Sequence, residues 1–250
     1  MCLIGIHLGS GPRLLIAANR DEFAGRPTAP LHWWQEGLLA GKDLQAGGTW
    51  LGITRSGRFA AVTNVRDPAL RTAPVPFGSR GLMVKAFLLS DCDPGAYAQE
   101  MLAAVSEASP YNLILGKIDS DSIQALWLGG RSRTLMPLQA GSHVLSNAEL
   151  NTPWPKARRL QAALATEDAS VIDAVMHSQA LAGDDELPAT GVSFDWEKRL
   201  SAALISGEDY HTRSSTLIQL DSRKAAVREI TWSPSAQAVN TLHEHFEFKR

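Results

Sequence analysis

Cysteine is nearly absent from this chain: of 250 residues only Cys2 and Cys92 carry a thiol. Two thiols make neither a disulfide framework nor a four-ligand cysteine metal site, so a stapled secreted scaffold and a structural zinc module are both excluded. Charge of one sign is missing as well. Lys and Arg number 24 against 26 Asp and Glu, and the basic residues are spread along the chain. A nucleic-acid interface needs them gathered on one face, so no such partner is expected. Long apolar runs are lacking too, because Gly, Arg or Asp breaks each stretch well short of the roughly 20 residues that span a bilayer. The stretch Cys2 to Leu8 has no basic residue ahead of it and stops at Gly9-Ser10-Gly11-Pro12, which argues against a secretory signal and for a cytoplasmic protein. There is no internal repeat and no linker-like segment. Residues 1–250 therefore read as one domain with room for a substantial core.

What is present is a set of short strand-like runs in pairs. Cys2–Leu8 and Leu14–Ala18 flank a turn signal, as do Trp50–Thr54 and Phe59–Thr63, and Tyr111–Ile118 and Ser122–Leu128. Further runs lie at 143–146, 216–220 and 225–231. Helical spacing of apolar residues occupies 80–89, 95–106, 155–165 and 170–179. Strands in hairpins and helices in separate blocks give an α+β layered fold. Several strands are apolar at consecutive positions, as in Leu3-Ile4-Gly5-Ile6, which requires cover on both faces.

The first hairpin carries the chemistry. A four-residue loop at 9–12 sets Cys2 opposite Asn19, with Arg20, Asp21 and Glu22 following on the same strand end. Removal of Met1 would leave Cys2 with a free α-amine beside its thiol. That amine titrates near ~7.7–8.0, so part of it is a base at neutral pH. A cation such as Arg20 lowers a thiol's pKa or grips a substrate carboxylate, and Asp21 orients the amine. Attack on an amide also needs donors for the oxyanion, which Asn side chains supply. The same residues also fit a polar turn closing a strand, with Arg20 and Glu22 as a surface ion pair and Cys2 as a small buried side chain, or one that is oxidised or lipidated.

Motifs in order along the chain sharpen the choice. Met1-Cys2, Asn19-Arg20-Asp21-Glu22, Gly47-Gly48-Thr49-Trp50-Leu51-Gly52, Thr63-Asn64-Val65-Arg66, Ser146-Asn147, Pro153-Trp154-Pro155-Lys156 and Thr212-Arg213-Ser214-Ser215-Thr216 closely resemble the NRDE family, also called the transport and Golgi organisation protein 2 family. That family is similar to the N-terminal nucleophile hydrolases of the bile salt hydrolase and penicillin V acylase group. The resemblance implies a four-layer αββα sandwich of antiparallel sheets. It implies Cys2 as nucleophile, Asp21 as the carboxylate holding the amine, Asn64 and Asn147 at the oxyanion site, and Arg213 near the nucleophile. Those hydrolases have Arg three residues before the Asp, where this chain has Ala18. The charge on Arg20 is therefore expected on the other face of the strand.

Two functions follow from these residues. One is a cysteine amidohydrolase acting on a small or acylated amide, with Asn19, Arg20, Glu22, Trp50 and Arg66 as substrate-binding residues. The other is a carrier on the same scaffold for a lipid-like, acyl-thioester or haem ligand, since the resemblance implies lipid and haem handling in some members. No metal site and no cofactor are expected. His243-Glu244-His245 suits a solvated tail strand better than a metal site. Gly47-Gly48 reads as a turn, Asp184-Asp185-Glu186 as a solvated loop, His7 as a satisfied core histidine, and Cys92, between Asp91 and Asp93, as inert.

Overall fold

The computed structural model describes residues 2–11, 13–34 and 37–249. In chain order its strands are β1 (Cys2–Leu8), β2 (Leu14–Phe23), β3 (Thr28–Trp33), β4 (Leu38–Asp43), β5 (Leu51–Thr54) and β6 (Arg58–Asn64). Then follow β7 (Tyr111–Ile118), β8 (Ile123–Gly129), β9 (Thr134–Pro137), β10 (Gly141–Leu145), β11 (Tyr210–Leu220), β12 (Lys224–Trp232) and β13 (Ala238–Glu247). The helices are α1 (Arg80–Leu88), α2 (Pro94–Ala103), α3 (Pro155–Leu164), α4 (Ala169–Met176) and α5 (Phe194–Leu200). The strands form a six-stranded sheet in the order β10-β1-β2-β11-β12-β13 and a seven-stranded sheet running β3 to β9 in sequence. Every pairing is antiparallel.

Alternation along the strands builds three apolar layers. Ile4, Ile6, Ile16 and Ala18 face the second sheet and pack with Ile53, Phe59 and Ile114. Their neighbours Leu3, Leu15 and Ala17 point the other way, onto Leu160, Leu164 and Ile172 of α3 and α4. On the far side Ala60, Val62, Leu113 and Leu115 meet Met83, Phe87, Tyr97 and Met101 of α1 and α2. The result is helix, sheet, sheet, helix: the αββα sandwich expected from the sequence. It also explains the consecutive apolar residues, because each buried Leu or Ile contributes about 1.5–3 kcal/mol and both strand faces are covered.

The first hairpin differs from its expected register by one residue. Leu8 pairs with Leu14, Ile4 with Ala18 and Cys2 with Arg20. The loop has five residues, not four, because Gly11 takes φ +75 and the chain closes through Gly9 N–H to the Arg13 carbonyl (3.1 Å) and Arg13 N–H to the Gly11 carbonyl (2.8 Å). The Asn-Arg-Asp-Glu segment is not a turn. It continues β2 as far as Phe23, bonded to β1 on one side and β11 on the other. No helix among the described residues is long and apolar enough to cross a membrane.

Candidate active site

At the end of the sandwich where β1 begins and β6 ends lies a cavity of about 470 Å³. Cys2, Arg20, Asp21, Glu22, Trp50, Asn64 and Arg80 stand in its wall. Cys2 and Arg20 face each other directly across the β1–β2 pair, which puts their side chains on one face. The expectation that Arg20 points away from the thiol is therefore corrected. Ala18 and Arg20 are two residues apart on one strand, so they share a face: Ala18 joins the inter-sheet core and Arg20 opens into the cavity.

Arg20 is 4% exposed and well held. Its guanidinium lies 4.2 Å from the centroid of the Trp50 ring, one nitrogen donates to Thr28 Oγ1 at 3.1 Å, and Glu22 lies 3.7 Å away. Arg26 grips Asp43 with two nitrogens, at 2.7 and 2.8 Å. Burial pushes the Asp43 carboxyl up, but the hydrogen bonds from Arg26 and from the Ala46 and Gln45 amides leave it below its ordinary value.

Cys2 is half-buried, and the Asp21 backbone N–H favours its thiolate. Burial pushes the thiol up and the Asp21 carboxylate adds to this, while Arg20 opposes it. The chain's α-amine also opposes it, but the net shift is upward, so burial works against the thiolate. Attack by Cys2 therefore needs a base. Asp21 is buried behind it, with Oδ1 accepting from Thr212 Oγ1 at 2.7 Å. Burial raises this carboxyl, and the strongest opposing influence is the ammonium of Lys156. Lys156 is itself 3% exposed and donates to the carbonyls of Leu200 (2.8 Å) and Ala202 (3.3 Å). Burial lowers its pKa and Asp21 pulls it back up.

Other expected site residues lie outside this wall. Asn19 points to the opposite face, where its Nδ2 donates to the carbonyls of Met176 (2.8 Å) and Ala203 (2.7 Å) and its Oδ1 accepts from Ser215 Oγ (2.6 Å). Asn147 is buried and ties two loops together: its Nδ2 donates to the Asn64 carbonyl (2.9 Å) and its carbonyl accepts from Arg66 N–H (2.8 Å). It positions Asn64 and does not line the cavity. The Arg66 side chain pairs with Glu197 at 3.1 Å beside Trp154, away from the cavity wall. Arg213 is the extra residue of a bulge between Thr212 and Ser214, and the bulge redirects it. It donates to the carbonyls of Phe23, Ala24 and Arg26, stapling the turn after β2.

The glycine motif has a role that local sequence does not reveal. Gly47 takes φ +72 in the turn, and Gly48 lies against the first turn of α1, where a Cβ would stand 2.3 Å from the Gly81 carbonyl carbon. Thr49 N–H donates to the Gly81 carbonyl at 3.1 Å. This contact fixes Arg80 on the cavity wall. Arg80 reads from sequence only as the start of a helical pattern, and Lys156 only as part of a motif. Among the described residues, no group of three or more His, Cys, Asp or Glu is arranged to hold a metal ion. His243 and His245 lie on the exposed edge strand β13.

The profile of the family described as Transport and Golgi organisation 2 matches residues 1–233. The chain belongs to that family. The Transport and Golgi organization protein 2 homolog of Bos taurus is 31% identical over 249 residues, covering 88% of this chain and 89% of that protein. The Homo sapiens homolog is 29% identical over 248 residues, with the same coverage of 88% and 89%. Among solved structures, the Caenorhabditis elegans ortholog of N-acylethanolamine-hydrolyzing acid amidase superposes with a TM-score of 0.50 at 13% identity, over 87% of this chain and 92% of that one. At that identity the likeness is one of fold: both chains share the layered sandwich.

Proposed function

We propose that the cavity is the site of a cysteine amidohydrolase, with Cys2 as nucleophile once Met1 has been removed. The observation that carries this reading is the position of Cys2 in the wall of an open cavity, opposite Arg20 and beside Asp21. In the proposed step the sulfur attacks the amide carbon and its proton passes to the α-amine of Cys2. Asp21 orients that amine, and Asn64 with neighbouring backbone N–H groups receives the developing oxyanion. The C–N bond then breaks, the α-amine returns the proton to the departing amine, and water hydrolyses the thioester. Asn147 and Lys156 serve as positioning residues for Asn64 and Asp21. In this scheme the nucleophile is activated by its own amine at the moment of attack.

The fold likeness to an amidase is consistent with the reading, although identity that low speaks to architecture alone. The test is turnover of a panel of small N-acyl amides by the processed protein. Cys2→Ala is expected to abolish it; full turnover by that variant overturns the proposal. One observation favours a second reading: the Arg20 guanidinium stacked on the Trp50 ring in the cavity wall suits a site that binds a lipid-like, acyl-thioester or haem ligand without cleaving it. That reading expects saturable, stoichiometric binding that Arg20→Ala or Trp50→Ala weakens and that Cys2→Ala leaves intact.

A further inference from the structure

The cations around the cavity are not equally satisfied. Arg20 has Thr28, Glu22 and the Trp50 ring, and Arg26 has Asp43 and Glu22. Arg80 also lines the cavity and is half-buried, yet among the described residues it makes no hydrogen bond or ion pair. Burial acts against its charge and Arg26 adds to this, while Glu22, and Cys2 as the thiolate, favour it. A guanidinium carries five N–H donors, and those of Arg80 are open to a ligand from the cavity. The Gly48–Gly81 contact anchors the backbone of its helix turn against the cavity. The charges around the cavity leave the same remainder. Glu22 and Asp43 are matched by Arg20 and Arg26, and Asp21 by Lys156 behind it.

We propose that Arg80 is an anion-binding subsite, and that the compound processed at Cys2 carries a carboxylate, phosphate or sulfonate seated on this guanidinium. The planar fork of Arg suits all three oxyanions through paired N–H donors. This assignment rests on Cys2 as the reacting residue, and it adds the substrate class that the cavity selects.

Charge-selective alkylation tests it on the full chain without requiring amide turnover. The rate at which iodoacetate modifies Cys2, divided by the rate for iodoacetamide, is measured by peptide mass spectrometry and compared with the same ratio for N-acetylcysteine. The expected result is a ratio raised about tenfold at Cys2, as one unscreened charge near the sulfur would give. Arg80→Gln should return it to the free-thiol value, and Lys85→Gln, on the same helix beside Trp34, should not. Should Arg80→Gln fail to fold, Arg80→Lys, which keeps the charge, is expected to retain most of the preference. A wild-type ratio equal to that of the free thiol, or one that survives in Arg80→Gln, overturns the proposal.

Protection distinguishes the oxyanions. Acetate, inorganic phosphate or methanesulfonate should slow iodoacetamide modification of Cys2 in the wild type and not in Arg80→Gln. The anion that protects names the group, and protection by none overturns the subsite. A charge preference without any amide turnover would keep the subsite and remove the hydrolase reading. Turnover without the preference would do the reverse.

Discussion

Asn19 and Arg20 are adjacent in β2 and face opposite sides of one sheet. Arg20 faces Cys2 and the cavity, whereas Asn19 is fully buried against the helical layer and bonded to two carbonyls and one hydroxyl. The Asn19→Leu variant tests this division. Without the amide, the Met176 and Ala203 carbonyls and the Ser215 hydroxyl each lose a partner in a site closed to water. The expected loss is about 2–4 kcal/mol of stability, read as a lower urea midpoint. The rate of Cys2 alkylation in the folded variant should stay unchanged. A loss of Cys2 reactivity at unaltered stability would instead make Asn19 a site residue. Arg213 follows the same logic: the resemblance implies a place near the nucleophile, and the bulge turns its charge onto three carbonyls of the 23–26 turn.

At the scale of elements, the cavity depends on a turn and a helix end that meet only in the folded chain. In Gly48→Ala the new methyl would lie 2.3 Å from the Gly81 carbonyl carbon, a backbone contact that no rotamer change relieves. The expected cost is about 1–3 kcal/mol from overpacking, together with a weakened iodoacetate preference as α1 moves away from Cys2. Unchanged melting and unchanged preference would show that this contact does not set the wall. The hairpins, the four longer helices and the layered order were legible in the sequence because they follow from local alternation and helical spacing. β3, β4, β9 and α5 were not, and β13 was legible only as the solvated tail strand at 243–245. β3 holds Pro30 and a bulge between Ala29 and His32, and β13 is an edge strand exposed along most of its length. Both lack the apolar alternation that marks a strand. The site was legible in part: Cys2, Arg20, Asp21, Glu22, Trp50 and Asn64 meet at the cavity, as their motifs suggested. Arg80 was not, since its placement comes from long-range packing at Gly48 and carries no local signature.

The whole molecule is two antiparallel sheets face to face, each with an outer layer of helices, and the cavity opens at one end of the stack. Charges buried in these layers couple its stability to pH. His177, half-buried against the Trp232 ring at the end of α4, is pushed below its ordinary pKa chiefly by burial, with Asp173 opposing the shift and Arg228 adding to it. Its contribution is thus present above the unfolded value of about 6.5 and is lost as pH falls through the lower folded value. Melting temperature should decline on acidification below about pH 6.5, and His177→Phe should lose that part of the decline; an identical pH profile in the variant would contradict the assignment. The central claim, that Cys2 is a nucleophile with its own amine as base, has a more direct test. Intact mass spectrometry of the untagged protein, before and after exposure to activated small acyl amides, reads the N-terminus and the reaction together. The account predicts loss of Met1 and a single acyl adduct on Cys2 that is absent from Cys2→Ala. Retention of Met1, or a processed chain that never takes up an acyl group, would contradict it.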